Sequence, residues 1–152
     1  MIIIHSPHAS THIPEDIRPS LLLDQPGLER ELLRLTDRYM DEVIEPVPGR
    51  IEILASPVSR LVCDVERFRE DDSEPMSRVG MGAVYTRTSD GKPLRTLDEA
   101  TREAILARFY DPHHQRFNDL AYGIKKLANG NVLIADQQGH RLGQVSPRQR
   151  AE

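Results

Sequence analysis

Short apolar runs of strand length alternate along the chain with longer stretches of helical periodicity. Residues 2–4 are three isoleucines that run directly into a polar loop, which predicts a short strand covered on both faces. Residues 51–55, 60–64 and 131–135 are apolar runs of the same kind, and each predicts a further strand. A very short strand is also predicted over residues 84–86.

Two stretches have the spacing of an amphipathic helix. In residues 27–44 the apolar side chains recur on one helical face. A second helix is predicted from an N-cap at Thr96, with Glu99 as its capping-box partner, to about Leu127. Pro112 is expected to break or kink it. The order of strands and helices predicts an α/β fold, with a mixed sheet flanked by helices.

Two regions lack this regular spacing. Residues 65–82 are charged and irregular, which predicts a long loop of the kind that is often functional or mobile. From residue 137 onward Gln, Arg and Gly dominate, which predicts a disordered tail. We therefore expect one domain over residues 1–136 and a divergent tail over residues 137–152.

Composition and charge exclude several classes of function. The net charge of −4 and the absence of Trp argue against nucleic acid as a partner. No apolar run approaches the roughly 20 residues of a membrane span, and the N-terminus lacks the basic region of a signal peptide. We therefore expect a cytoplasmic protein without a membrane partner.

Cys63 is the one cysteine, and its apolar surroundings predict a buried side chain rather than a nucleophile.

Three histidines, His5, His8 and His12, surround the end of the first predicted strand. Neutral imidazole is the commonest metal ligand, and the carboxyl end of a strand is the usual ligand site in an open α/β sheet. These histidines are therefore candidate metal ligands. Their spacing favours the alternative, in which they are exposed loop residues or hydrogen-bonding partners that stabilise the loop.

Asp37 and Asp41 lie four residues apart, so they share one face of the first predicted helix. This acidic pair has two interpretations. It can contribute to a site, or it can form a solvated face on which Arg34 and Arg38 act as ion-pair partners. Residues 110–114 are interpreted as a kinked helix segment with surface histidines.

Arg60 and Arg67 bracket the apolar run at residues 60–64. The planar guanidinium group binds carboxylates through two hydrogen bonds, so this pair is suited to an acidic substrate. The alternative is a structural ion pair with Asp64 or Glu66. The sequence alone leaves both interpretations open.

Five segments, in this order, resemble motifs of the N-formylglutamate amidohydrolase family. They are the His-containing segment 5–14, the Thr-Asp segment 35–41, the Ser-Arg-Asp-Arg segment 59–67, the glycine-containing loop 79–87 and the aromatic-x-Pro-x-His segment 110–114. Glu66 stands where the family more usually has Asn. Together the segments extend over nearly all of residues 1–136.

The resemblance implies a fold related to the zinc carboxypeptidases, with the metal at the carboxyl ends of the strands. It implies hydrolysis of the amide of N-formyl-L-glutamate or a similar small-molecule N-acyl amino acid, as in histidine degradation. His8 and Asp37 would be ligands of Zn²⁺, and Arg60 and Arg67 would bind the substrate carboxylates. The metal would polarise the scissile carbonyl and acidify its bound water, with a carboxylate as proton shuttle. Iron or manganese would also suit such ligands.

The end of the matched region departs from the family pattern. The family usually reads Asp-Cys-His-Ser after the last strand, whereas residues 136–139 read Asp-Gln-Gln-Gly. Gln138, a poor zinc ligand, takes the position of the third expected ligand, and His140 lies two residues further on. We therefore expect a domain that is C-terminally incomplete, truncated or frameshifted after residue 136, and that lacks the catalytic carboxylate. The alternatives to an active hydrolase are a non-catalytic protein that binds acidic ligands and an inactive family fragment.

Overall fold

A computed structural model gives the fold of most of the chain. It describes residues 2–40, 42, 51–127, 134–135 and 141–142, and the side chains of residues 2–40, 42 and 51–121. None of the helices in these ranges combines the length and the apolar character that a membrane crossing requires.

Two parallel strands form the sheet that positions the site. Strand β1 is Ile2–Ser6 and strand β2 is Ile51–Ala55, with Ile2 opposite Ile51 and Ser6 opposite Ala55. The prediction for residues 51–55 is confirmed, and the predicted strand at residues 2–4 extends to Ser6. Because the strands are parallel, their carboxyl ends meet at one edge, where the loop that carries His8 begins.

The first helix, α1, is shorter than its apolar spacing predicts. It runs over Gln25–Leu35, and the side chain of its N-cap Asp24 accepts a hydrogen bond from the Gly27 amide. The prediction of one helix over residues 27–44 is wrong at residues 36–39, while residues 43 and 44 lie outside the described ranges. Thr36 has an extended backbone, and the Asp37 amide donates to the His8 carbonyl at 3.0 Å rather than to the preceding helical turn.

Two predicted strands are replaced by buried turns. In residues 60–64 the amides of Val62 and Cys63 both donate to the carbonyl of Ser59, which closes a turn in place of a strand ladder. Residues 84–86 do not form a strand either, and the local pairing is an isolated bridge between Arg87 and Pro93. Both segments are apolar because they are buried in the core, and burial alone does not distinguish a strand from a packed turn.

The second predicted helix begins two residues later than expected. Helix α2 is Glu99–Ile105, and its N-cap is Asp98, whose side chain accepts from the Thr101 amide, so the assignment of Thr96 as the cap is wrong. A π-helical turn, Leu106–Tyr110, follows, and helix α3 is Asp111–Leu127. The predicted interruption is therefore a π turn directly before Pro112, which has no amide hydrogen to donate to the preceding turn.

A second pair of strands follows helix α3. Strand β3, Ile134–Ala135, pairs antiparallel with strand β4, Arg141–Leu142. Residues 131–133 of the predicted last strand lie outside the described ranges. The α/β class is confirmed, with the described strands in two separate pairs. The zinc-carboxypeptidase-like core and the domain boundary after residue 136 stay predictions.

The core is built largely from loop segments. One cluster joins Val62 and Val65 to Leu106 and Phe109, and a second joins Leu61 to Tyr85.

Cys63 is fully buried, and burial raises the pKa of its thiol to about 12, in keeping with its predicted role as a buried side chain. The long loop after Asp64 contains the short 3-10 helices Asp71–Ser73 and Pro75–Val79.

The π turn places Leu106 at the centre of the first cluster, where its side chain is fully buried. We expect Leu106→Ala to lower the free energy of unfolding by about 2–5 kcal/mol, because it removes buried methyl groups and leaves a cavity. Urea denaturation measures this change. The matched control is Leu33→Ala, at a position 53% exposed on α1, which should change stability by less than about 0.5 kcal/mol. Equal losses in the two variants would contradict this packing.

Candidate active site

The carboxylate of Asp64 is the centre of the site. It is fully buried, and its amide donates to the Ala83 carbonyl at 2.8 Å, which fixes the backbone. One carboxylate oxygen accepts from His8 Nε2 at 2.9 Å and from the Glu66 amide at 3.1 Å. The other accepts from the Tyr85 hydroxyl at 2.6 Å and from Arg60 Nη2 at 2.7 Å. Burial alone would raise the pKa of Asp64, but the hydrogen bond from His8 and the charge of Arg60 hold it well below its usual range.

The imidazole of His8 is oriented by this carboxylate. His8 is buried, and an ionised carboxylate only accepts, so the contact with Asp64 assigns the proton to Nε2. The opposite ring nitrogen, Nδ1, then faces Asp37 Oδ2 at 3.6 Å. A carboxylate that accepts from one ring nitrogen while the other is free for a ligand is the usual arrangement behind a metal-binding histidine.

Asp37 presents a buried oxygen without a hydrogen bond. Its Oδ2 has no hydrogen-bond partner among the described residues, although its backbone is held by the bond to the His8 carbonyl. A buried carboxylate oxygen without a hydrogen bond is costly, and a bound cation would compensate it. Two ligands of a tetrahedral zinc ion lie roughly 3.3–3.4 Å apart when each is about 2.0–2.1 Å from the metal. The 3.6 Å separation of Asp37 and His8 therefore fits a shared metal ion.

The described residues supply only part of a metal-ligand set. Within the described ranges, no group of three or more His, Cys, Asp or Glu side chains is arranged to hold a metal ion. The position of the expected third ligand, Gln138, lies outside those ranges. His8 and Asp37 thus form a fitting pair, and the prediction that they are metal ligands remains to be tested.

The two candidate arginines differ in their contacts. Arg60 uses Nε and Nη2 to bind Asp64, and Nε also lies 3.2 Å from the Tyr85 hydroxyl. Arg67 lies 3.5 Å from Asp64 through its buried Nε, which has no hydrogen-bond partner among the described residues, and its Nη1 lies 3.9 Å from Glu74. The structural interpretation therefore suits Arg60, whereas Arg67 has a donor available for a ligand.

A second histidine cluster lies next to the site. His5 Nε2 is 2.9 Å from Nε2 of His113, which is buried on α3. Burial lowers the pKa of each to about 4, reinforced by the neighbouring imidazoles.

His114 is stacked on Tyr110 and makes a 2.9 Å contact from Nε2 to the carbonyl of Val65. The interpretation of residues 110–114 as a kink with surface histidines is therefore wrong for His113. The third N-terminal histidine, at position 12, is exposed.

The sequence predicts Asp64 only as an ion-pair partner, and it predicts no role for Tyr85. One signal was available, because Asp64 is a carboxylate within an apolar run. A charge in such a run must be paired once it is buried, so an elaborate set of partners was to be expected. The identity of those partners depends on the tertiary fold.

The structure resembles that of a solved hydrolase. It matches the crystal structure of N-formylglutamate amidohydrolase from Ralstonia eutropha JMP134 with a TM-score of 0.71 and 21% sequence identity. The match covers 85% of this chain and 50% of that protein, so the chain spans about half the length of its structural neighbour. A search of curated proteins gives no match. The shared fold is an α/β domain.

The family follows from the sequence match. Residues 1–141 fit the family model for N-formylglutamate amidohydrolase. The chain belongs to the N-formylglutamate amidohydrolase family, and the resemblance seen in its five motifs is confirmed.

The His5–His113 pair predicts a pH dependence of stability. Between pH 6.5 and 4 the unfolded chain takes up protons that the folded pair resists, so the free energy of unfolding falls as the pH falls. His113→Gln removes one resisting group, and we expect a shallower fall. Urea denaturation at several pH values across this window measures the slope. The control variant His12→Gln should keep the wild-type slope, and an unchanged slope in His113→Gln would overturn the assignment.

Proposed function

We propose that the protein to which this chain belongs is a metal-dependent hydrolase of N-acyl amino acids, with N-formyl-L-glutamate as substrate and formate and L-glutamate as products. The observation that carries the proposal is the orientation of His8 by Asp64, which leaves Nδ1 facing the unpaired oxygen of Asp37. Family membership supports the type of reaction. A zinc cofactor, a place in histidine degradation and a cytoplasmic location belong to the same proposal.

The described residues would hold the metal through His8 Nδ1 and Asp37 Oδ2, with further ligands from outside the described ranges. A divalent ion in such a site polarises a carbonyl group and acidifies a water molecule. Asp64 keeps His8 in the required tautomer and orientation, and it is in turn fixed by Arg60 and Tyr85. Asp64 and its two donors are therefore positioning residues.

Arg67 is suited to bind a substrate carboxylate, because its free Nε can donate a charge-assisted hydrogen bond. Arg60, the other predicted substrate-binding residue, would act indirectly through Asp64. We assign no catalytic proton shuttle. Glu66 is a carboxylate near the site, but it lies 3.5 Å from Nε2 of His8, the ring nitrogen that faces away from Asp37.

Metal content tests the proposed ligand pair. We expect about one zinc ion per chain by elemental analysis after zinc loading and dialysis. His8→Ala and Asp37→Ala should lose the metal, because each removes a ligand. Asp64→Asn should weaken zinc binding about 10- to 100-fold in a chelator competition, because the orienting carboxylate becomes a neutral amide.

His12→Ala is the matched control, since its side chain is exposed outside the proposed ligand set. It should retain the metal at the wild-type stoichiometry. Zinc that stays bound in both His8→Ala and Asp37→Ala, or a wild-type chain that binds none, would contradict the metal site.

Substrate binding tests the different roles of the arginines. We expect Arg67→Met to weaken binding of N-formyl-L-glutamate about 10- to 100-fold, because a charge-assisted hydrogen bond is lost. Arg60→Met should instead lower the melting temperature, because it leaves the buried Asp64 charge less well paired. Isothermal titration calorimetry and thermal unfolding separate the two effects. Undiminished affinity in Arg67→Met would contradict the assignment.

One observation favours a second candidate, a non-catalytic protein that binds acidic ligands. The described residues contain an arginine with a free donor but no group of three metal-type side chains. Gln138 at the expected third ligand position points the same way. Binding of N-formyl-L-glutamate without release of formate, in a chain that holds no metal, would favour this alternative.

A further inference from the structure

A cavity of about 420 Å³ opens beside the proposed metal-ligand pair. The described residues that line it are Ala9, Thr11, Thr36, Asp37, Arg38, Tyr39 and Met40. Ala9 follows His8 in the chain, and Asp37 belongs to both the cavity and the ligand pair. The volume lies within the range of small-molecule sites, which is roughly 300–1,000 Å³.

The backbone around this cavity has an unusual conformation. Helix α1 stops at Leu35, and the chain turns back so that the Asp37 amide bonds to the His8 carbonyl. Tyr39 has a φ of +65°, in the left-handed region that side chains other than glycine seldom adopt. Such strained residues concentrate at ligand and active sites. The turn places Arg38 on the wall of the cavity immediately after Asp37.

Arg38 is the one cation among the described residues that line this cavity. No hydrogen bond or ion pair to its guanidinium group is present among the described residues, and Asp37 is the one acid among the described lining residues. A metal ion held by Asp37 would neutralise the charge of this carboxylate. The carboxylate would then no longer balance the positive charge of Arg38. Thr11 and Thr36 add hydroxyl groups that donate hydrogen bonds to an anion.

A second cavity, lined in part by residues of α1, provides a contrast. It has a volume of about 370 Å³ and contains charges of both signs. Lys92 lies 2.7 Å from Asp90, and Arg34 lies 3.9 Å from Glu31, so these cations already have acidic neighbours. Arg30 also lines this second cavity without an ion pair among the described residues, but it shares the cavity with Asp24, Glu31 and Asp90, whereas Arg38 shares its cavity with Asp37 alone.

We propose that the cavity formed by Thr11, Thr36 and Arg38 is a carboxylate subsite that receives the side-chain carboxylate of an acidic N-acyl amino acid. The inference rests on the proposed function. Arg67 then takes the α-carboxylate of the substrate, and the formyl group lies on the other side of the reacting amide. Two separate arginine subsites make the enzyme selective for dicarboxylic substrates over those with a neutral side chain.

The test compares two ligands that differ in one charge, N-formyl-L-glutamate and N-formyl-L-glutamine. Binding to the zinc-loaded chain is measured by isothermal titration calorimetry, so that the readout does not depend on turnover. We expect the wild type to bind the glutamate ligand about 10- to 100-fold more tightly, the worth of one charge-assisted hydrogen bond. Arg38→Met should abolish this preference and leave binding of the glutamine ligand unchanged.

The matched control is Arg30→Met, an exposed arginine on α1 that lines the second cavity. It should keep the wild-type preference, and thermal unfolding confirms that both variants are folded. A preference that survives in Arg38→Met, or equal binding of both ligands by the wild type, overturns the subsite and leaves the proposed function intact. Binding of neither ligand by the wild type overturns the proposed function, and the subsite with it.

Discussion

The buried carboxylate of Asp64 is the interaction on which the site depends. It joins three parts of the chain that are distant in sequence: the loop after β1 through His8, the turn that carries Arg60, and the segment that contains Tyr85. The desolvation of a charge at this depth costs several kcal/mol unless it is fully paired. The low pKa of Asp64 indicates that its partners more than offset the cost. The same hydrogen bonds that compensate the charge also fix the orientation of His8.

This arrangement explains why two arginines with similar positions in the sequence have different roles. Arg60 lies one turn before Asp64 and points its Nε and Nη2 at the carboxylate, so its donors are engaged in holding the site together. Arg67 reaches the same carboxylate through its buried Nε at 3.5 Å and forms no hydrogen bond there. An unpaired buried donor weakens the folded protein, and its retention is easier to understand where a ligand completes the pairing.

The pattern of apolar and polar residues predicted elements that depend mainly on residues close together in the sequence. Residues 51–55 form a strand as predicted, in register with β1, and the match of residues 1–141 confirms the resemblance to the family. Residues 60–64 form a turn although they are as apolar as a strand, because their amides bond back to Ser59. The contacts of Asp64 and the cavity beside Arg38 join distant segments, which periodicity does not detect. The candidate site residues could thus be identified from their residue types, whereas the side chains that contact them could be identified only from the three-dimensional structure.

The position of Asp37 connects these observations. Continuation of α1 through residue 39 would have placed its carboxylate on a regular helix face, as the spacing suggested. Termination of the helix at Leu35 instead allows the Asp37 amide to bond to His8, which brings the side chain opposite Nδ1. The strained backbone at Tyr39 accompanies this turn. The end of the helix at Leu35 therefore determines both the proposed ligand pair and the adjoining cavity. The irregular backbone raises the free energy of the folded chain at a place where ligand binding can offset it.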